Sequence, residues 1–267
     1  MAKTKAQQPE RTRPITVESL GAFGVLSGLS PPAERFDPAG EWTQTYRLWM
    51  VQRYRSGGKL VVRRAPSGRD GVRLRVESTI AEYGGHLRRL EAVLDCAADT
   101  LCSPRGWRLK ATHLDVRDKP TAGSGLSERG TLADGAWTVR FGDRSRTRKV
   151  PSPVTSNWSL FEAVQRLPGK DTQPLGFAML DEMDLLKLDQ QLSFCGTKQV
   201  QVGGRKRTLR GYAQIGCGVL PWQYWVDEQG RLLLAFSGVR AYVWDPQAEQ
   251  FVQKQRKAAQ SRALGRR

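Results

Sequence analysis

Apolar and polar residues, the latter mostly charged, alternate with a period of two along several segments of the chain. The pattern is unbroken in Val72–Val76, Trp107–Ala111 and Trp137–Phe141. Alternation of this kind places one row of side chains against a core and the other row in solvent, which is typical of an antiparallel sheet with one solvated face. Segments rich in glycine, serine and aspartate separate the alternating stretches, and we expect turns there. The pattern predicts an all-β protein with minor α content.

The predicted strands fall into two groups, separated by a change of period near Asn157. They are Trp42–Tyr54, Leu60–Arg64, Val72–Tyr83, His86–Cys96 and Trp107–Leu114, with further short strands before Val150, and then Gln191–Cys195, Lys198–Val202, Lys206–Ile215, Trp222–Asp227, Arg231–Phe236 and Ala241–Trp244. Asp118–Gly130 has no apolar periodicity and is predicted to be a mobile loop. Ala178–Leu188 fits either a second short helix or an extended segment.

A short helix is predicted where the period changes. Ser159-Leu-Phe-Glu162 has the form of a capping box, in which the serine hydroxyl and the glutamate carboxylate satisfy the first helical N–H groups. Pro168 and Gly169 end the helix. Its expected docking face consists of Leu160, Phe161, Val164 and Leu167. We therefore expect a strongly curved antiparallel sheet or half-barrel, with one or two short helices on its concave side.

Composition divides the chain into one β-rich domain and two flanking segments. Residues 41–246 form the predicted domain, since no linker or repeat divides them. Residues 1–40 form an N-terminal arm or a degenerate export signal, because basic residues precede the apolar stretch Leu20–Leu29 and small residues follow it up to Ala33. Residues 247–267 are basic and are predicted to be a disordered tail. No run of residues is long and apolar enough to predict a transmembrane segment.

Positive charge dominates the composition. The chain has 43 lysines and arginines against 26 aspartates and glutamates, a net charge of +17. Many arginines occupy outward positions of predicted strands, among them Arg73, Arg75, Arg108 and Arg140, where a folded protein needs only a polar side chain. We therefore favour a solvated basic face. The alternative is a cytoplasmic protein that binds nucleic acid through this face and through its C-terminal tail.

The cysteines do not have the spacing of a metal site. No two cysteines form a C-x-x-C pair, and the chain has only two histidines. The four cysteines are Cys96, Cys102, Cys195 and Cys217. The even number of cysteines allows two disulfides, of which Cys96 with Cys102 and Cys195 with Cys217 are the local pairings, and buried free thiols are the alternative. We expect no metal ion.

No local motif indicates catalysis. An acidic cluster lies among leucines and consists of Asp181, Glu182, Asp184 and Asp189. The leucines favour a packed segment with a charged outer face over a catalytic pair of carboxylates. His113 continues the apolar face of a predicted strand. The sequence has no nucleophile elbow, phosphate-binding loop or dinucleotide fingerprint. We therefore expect a protein without enzymatic activity and without a cofactor.

The densest aromatic stretch contains Trp222, Tyr224 and Trp225. Strand alternation places the first two rings on one face and Trp225 on the other. Such a strand either packs into the core or forms a wall that faces a ligand. Together with Trp158 and Phe161 of the predicted helix, these residues are the candidate ligand-binding site.

The order of three segments in the C-terminal half resembles that in exported bacterial β-clam proteins of uncharacterised function. These segments are Ser156–Pro168, Leu220–Leu232 and the closing strand Val239–Trp244. The resemblance covers about Trp42 to Asp245. It implies the curved, incompletely closed sheet of periplasmic lipoprotein carriers, led by a signal peptide and able to shelter an apolar group. It transfers no catalytic residue.

The expected function follows from the sheet, the aromatic residues and this resemblance. We expect a non-enzymatic protein of the bacterial envelope, exported to the periplasm. It binds an apolar or lipid-like ligand, or an envelope protein partner, in the concavity of its sheet.

Overall fold

Fifteen strands form a single sheet in the computed structural model, which describes residues 35–50, 55–82, 86–169 and 173–264. The strands of the N-terminal half are β1 (Trp42–Met50), β2 (Arg55–Pro66), β3 (Gly71–Ala81), β4 (Leu87–Ala97), β5 (Pro104–Leu114), β6 (Leu126–Ala133), β7 (Ala136–Phe141) and β8 (Arg144–Lys149). Those of the C-terminal half are β9 (Val154–Ser156), β10 (Leu175–Asp181), β11 (Leu185–Val202), β12 (Arg205–Ile215), β13 (Trp222–Val226), β14 (Leu232–Phe236) and β15 (Arg240–Trp244). Two helices within the described ranges, α1 (Asn157–Arg166) and α2 (Ala248–Leu264), complete the fold.

The sheet joins two antiparallel meanders through one long-range strand pair. Its order runs from β8 back to β1, then to β15 and back to β9. The joint is the antiparallel pair β1–β15, in which Tyr46 is opposite Trp244 and Leu48 is opposite Tyr242. The pair β9–β10 is parallel. The sheet curls until β9 lies close to β5. The Thr155 hydroxyl of β9 donates to the Leu101 carbonyl oxygen, in the turn between β4 and β5, at 2.7 Å. The predicted all-β fold with a strongly curved antiparallel sheet is confirmed.

Alternating residues divide the sheet into an inner face, which packs on α1, and an outer face. On β3 the inner residues Val72, Leu74 and Val76 are buried, whereas Arg73 and Arg75 between them are exposed. This is the arrangement that the alternation predicts. The inner rows of both halves and the apolar side of α1 form one hydrophobic core.

The N-cap of helix α1 lies three residues before the predicted one, Ser159. It is Ser156, whose hydroxyl oxygen accepts the Ser159 N–H at 2.9 Å. The predicted role of Glu162 in a cap is therefore wrong. The Glu162 carboxylate is fully buried and accepts from Nε of Arg64 at 2.9 Å and from Nε of Arg166 at 2.7 Å.

The C-terminal segment forms a helix on the outer face, where the sequence predicted a disordered tail. The Arg47 guanidinium lies 4.0 Å from the centre of the Phe251 ring, and the Lys59 ammonium pairs with Glu249. Farther along α2, Arg256 donates to the Asp118 carboxylate at 2.7 Å. These contacts involve distant parts of the chain, so the tail has no local signal for them. Neither helix of the described chain has the length and apolar character of a membrane-spanning helix.

Other segments also differ from the sequence-based expectation. Gln191–Cys195 and Lys198–Val202, predicted as two strands, belong to the single strand β11, which has an irregularity between Phe194 and Gly196. The predicted loop Asp118–Gly130 contains the first half of β6, which begins at Leu126. Ala178–Leu188, which was open between helix and strand, contains the turn between β10 and β11, and Glu182 and Met183 adopt positive φ angles there.

Only the last part of the predicted N-terminal arm falls within the described residues. The Phe36 ring lies 6.2 Å from the Trp42 ring, and the Arg231 guanidinium lies 4.8 Å from the centre of the Phe36 ring. Residues 35–40 are therefore packed onto the domain. The predicted export signal, Leu20–Ala33, lies outside the described residues.

Glu162→Ala is expected to lower the free energy of unfolding by about 3 kcal/mol or more, because it leaves the Arg64 guanidinium buried without its carboxylate. Glu77→Ala is the matched control, since the side chains of the Arg63–Glu77 pair are 41% and 43% exposed. We expect it to cost less than about 1 kcal/mol. Urea unfolding of both variants measures the difference. Equal losses would contradict the structural role of Glu162.

Candidate functional site

A cavity of about 600 Å³ lies between the inner face of the sheet and α1. This volume is within the range of small-molecule binding sites, roughly 300–1,000 Å³. Strands from both halves contribute to its wall, because β4, β5 and β6 face β10, β12, β13 and β15 across it. The cavity therefore exists only in the curled sheet.

Aromatic rings form one wall of the cavity. Trp222 stacks on Tyr224 and on Tyr242, with ring centres 6.3 and 6.0 Å apart. The edge of Phe161 from α1 meets both tyrosine rings, at 6.2 and 5.4 Å. Cross-strand register places Ala235 of β14 between the two tyrosines, and this small residue leaves space for large rings on either side. We call these four rings, Phe161, Trp222, Tyr224 and Tyr242, the aromatic wall.

A buried carboxyl group lies on the cavity wall formed by β6. Glu128 is 2% exposed, and its Oε1 accepts the Trp107 indole N–H at 3.3 Å, while its Oε2 is buried and has no hydrogen-bond partner among the described residues. Burial raises the pKa of Glu128 to about 7, the indole N–H lowers it and the Asp184 carboxylate raises it further. Glu128 is therefore partly protonated near neutral pH.

The position of the Trp107 indole depends on a glycine of the next strand. A Cβ atom on Gly130 would lie 1.9 Å from Cζ2 of Trp107, so only glycine leaves space for the ring there. The ring in turn brings its N–H to Glu128. Trp107 of β5 and the pair Glu128 and Gly130 of β6 thus form one unit, which local sequence patterns do not reveal.

Charged residues surround the rest of the cavity. Arg88 pairs with Glu182 at 3.7 Å, and His113 Nδ1 lies 3.2 Å from Oε2 of Glu82. Asp181 also lines the cavity. Its pKa is raised, mainly by burial and to a smaller extent by the neighbouring Glu182 carboxylate. Taken together, the lining contains four carboxyl groups, two guanidinium groups and one imidazole: Glu128, Asp181, Glu182, Asp184, Arg88, Arg240 and His113. Acidic groups thus outnumber basic ones here, in a chain of net charge +17.

Exposed leucines line the same cavity. Leu126, Leu185 and Leu220 are 42%, 55% and 51% exposed. The other large apolar side chains that are exposed in the described residues, Leu188 and Ile215, lie on β11 and at the end of β12. Apolar surface around a cavity is typical of a site that receives an apolar ligand or partner.

The structure brings four of the five predicted site residues to the cavity wall: Trp158, Phe161, Trp222 and Tyr224. Trp225 does not line the cavity. Its side chain lies on the outer face in a second hydrophobic cluster with Val200 and Val202, as the strand alternation requires. Sequence reasoning did not select Tyr242 or Glu128. The strand alternation of Val239–Trp244 was a signal for Tyr242, whereas Glu128 falls in a segment without apolar periodicity.

The thiols lie apart from this lining. All four cysteines are free, with Cys96 and Cys102 buried and Cys195 and Cys217 exposed. A hydrogen bond with Cys96 and burial raise the pKa of Cys102. Within the described ranges, no three His, Cys, Asp or Glu side chains are grouped as metal ligands would be.

Comparison with known proteins identifies a similar fold. No protein-family model and no curated protein sequence matches the chain. A crystal structure of a β-barrel-like protein of domain of unknown function DUF1849 from Brucella abortus is similar, with a TM-score of 0.52 and 10% sequence identity. The match covers 78% of this chain and 95% of the Brucella protein. At this identity the similarity supports the curved β-sheet architecture alone.

Glu128→Gln is expected to change how stability depends on pH. The folded pKa of Glu128, about 7, is above the ordinary value of 4.5, so the unfolded chain releases this proton at lower pH than the folded protein does. The carboxyl group therefore destabilises the fold increasingly as pH rises from about 4.5 to 7, by an amount of the order of 3 kcal/mol. The neutral amide lacks this effect, so the stability of the variant relative to the wild type should increase over that interval. Urea unfolding at pH 4.5, 6 and 7.5 measures it, and parallel pH profiles would contradict it.

Proposed function

We propose that this chain is a non-enzymatic protein of the bacterial envelope that binds an apolar or lipid-like ligand in the cavity of its curled sheet. The observation that carries the proposal is a cavity of about 600 Å³ with stacked aromatic rings on its wall and exposed leucines in its lining. Apolar and aromatic surface in a concave site is typical of binding sites for such ligands, and the polar groups of the lining can fix the ligand's orientation.

The aromatic wall is held in place before any ligand binds. The Tyr224 hydroxyl donates to Oε1 of Gln214 at 2.9 Å, and Nε2 of Gln214 donates to Oε1 of Gln190 at 3.1 Å. The ring of Phe161 is fixed by the burial of α1. A rigid wall loses little conformational entropy on binding, which favours affinity.

The polar groups of the cavity are arranged for structure more than for catalysis. The Ser124 hydroxyl donates to the Thr121 carbonyl oxygen at 2.7 Å, and the His113 carbonyl oxygen lies 3.3 Å away, so the hydroxyl is directed at the backbone and not at the His113 imidazole. The imidazole itself lies next to the Glu82 carboxylate. A nucleophile in contact with a base is the usual requirement of covalent catalysis, and this pair does not supply it.

Export to the periplasm is part of the proposal and rests on the sequence. The basic residues before Leu20–Leu29 and the small residues up to Ala33 have the composition of an export signal. The resemblance to exported β-clam proteins points in the same direction. A curled sheet with an aromatic wall inside its cavity suits the transport or storage of a molecule that is poorly soluble in water.

Trp222→Ala is expected to weaken binding of the neutral fluorescent probe N-phenyl-1-naphthylamine by about tenfold or more, because truncation of an aromatic residue at the centre of a site removes much of the contact area. The matched control is Trp49→Ala, since Trp49 is also a partly buried tryptophan but lies with the outer-face cluster. Fluorescence titration measures both affinities. Equal affinities of the Trp222→Ala and wild-type proteins would contradict the proposed site.

One observation favours a second function, which is binding of nucleic acid by a cytoplasmic protein. Arg108 of β5, Arg129 of β6 and Arg140 of β7 are directly opposite one another in the sheet register. On β4, Val93 is opposite Arg108 on one side and opposite Arg75 of β3 on the other, so Arg75 lies in the same row. All four arginines are exposed on the outer face, and none forms an ion pair with another described residue. Like charges directly opposite each other destabilise a sheet, and phosphate groups would relieve this repulsion.

Under this second function, the double variant Arg108→Ser/Arg129→Ser should reduce the slope of log affinity against log salt concentration by about 2 for duplex DNA. The control is Arg144→Ser/Arg148→Ser, which removes the same charge from exposed positions of the edge strand β8. Titrations between 50 and 200 mM salt, roughly the useful range, measure the slopes. The same decrease in both double variants would show that net charge acts, and not the arginine row.

A further inference from the structure

The buried carboxyl group of Glu128 lacks one of the hydrogen bonds that such a group usually has. Its Oε1 has the Trp107 indole as a donor, and its Oε2 is buried without a partner in the described residues. A buried polar atom without a partner is costly, and in native proteins it usually has a reason, such as a bound molecule. Strand alternation points this side chain to the inner face, because Ser127 and Arg129 on either side are exposed.

The charges of the cavity add a second observation. Glu182 is neutralised by Arg88, but Glu128 and Asp184 form no ion pair with another described residue, and the Asp184 carboxylate raises the pKa of Glu128. Two carboxyl groups near each other in a partly enclosed space attract a cation and repel an anion. The interior of the site thus has the opposite charge to the protein as a whole.

The aromatic wall suits the same kind of ligand. Trp222, Tyr224 and Tyr242 offer an apolar surface to a hydrocarbon chain or ring. Their ring faces also carry negative electrostatic potential, which attracts cations. A molecule with an apolar body and an amine group would therefore contact both features of the cavity.

We propose that the ligand of this cavity is an amphiphilic amine, whose N–H group binds the carboxyl group of Glu128 while its apolar part packs on the aromatic wall. This inference rests on the proposed function, since it names the chemical class of the ligand at the same site. It excludes fatty acids and other anionic amphiphiles as the preferred ligands, because their carboxylates would meet Glu128 and Asp184.

The test compares ligands that differ only in their polar group. Dodecylamine, dodecanol and dodecanoate, each below its aggregation concentration, compete with N-phenyl-1-naphthylamine for the full-length wild-type protein. Dodecylamine should bind about tenfold more tightly than dodecanol, since a charged donor forms the stronger hydrogen bond, and dodecanoate should bind most weakly.

Glu128→Gln should reduce the preference for the amine over dodecanol to less than about threefold, because the amide keeps the shape of the side chain but loses its charge. Far-UV circular dichroism and urea unfolding of the variant, compared with those of the wild type, show that it is folded. Glu182→Gln is the matched control, since it removes one carboxylate that is already paired with Arg88. It should keep the preference for the amine.

The outcomes separate this inference from the proposed function. Equal affinity of the wild type for the three compounds, or a preference for the amine that persists in Glu128→Gln, would overturn the inference and leave an apolar-ligand site in place. Failure of the probe and of all three compounds to bind would overturn the proposed function and this inference with it.

Discussion

Burial of α1 against the inner face of the sheet is the contact on which the rest of the structure depends. A sheet with one apolar face must cover that face, and the fifteen strands of the described ranges do so by curling round α1. The ring of Phe161 contacts Tyr46, Tyr224 and Tyr242, which belong to strands of both halves. One side chain of α1 thus connects the two meanders that the pair β1–β15 joins.

The polar residues of α1 determine its position. Glu162 holds Arg64 of β2, and Oε1 of Gln165 accepts the side-chain amide of Gln44 at 2.7 Å and the Leu232 N–H at 3.1 Å. Such bonds have strict geometry, whereas apolar contacts allow a helix to slide. The helix is therefore fixed in one orientation, and the cavity beside it has a defined shape.

Charge is distributed unequally between the two faces of the sheet. The outer face has rows of exposed arginines, while the carboxyl groups of Glu128, Asp181, Glu182 and Asp184 line the cavity on the inner side. The chain as a whole is strongly basic, so its net charge describes the outer surface and not the candidate site. Net charge alone would therefore predict a partner for the outer face, and not a ligand for the cavity on the inner side.

Local patterns in the sequence determined the type of fold and the face of the sheet on which individual side chains lie. The alternation in β13 placed Trp222 and Tyr224 on one face of the sheet and Trp225 on the other. Apolar residues before Pro168 indicated a helix. Both signals depend on neighbouring residues alone. The tertiary structure decided the rest. The pairing of β1 with β15, the docking of α2, the space that Gly130 leaves for Trp107 and the approach of Glu128 to the cavity all depend on residues far apart in the chain. Their contacts follow from strand order and register, which a local pattern of apolar and polar residues does not specify.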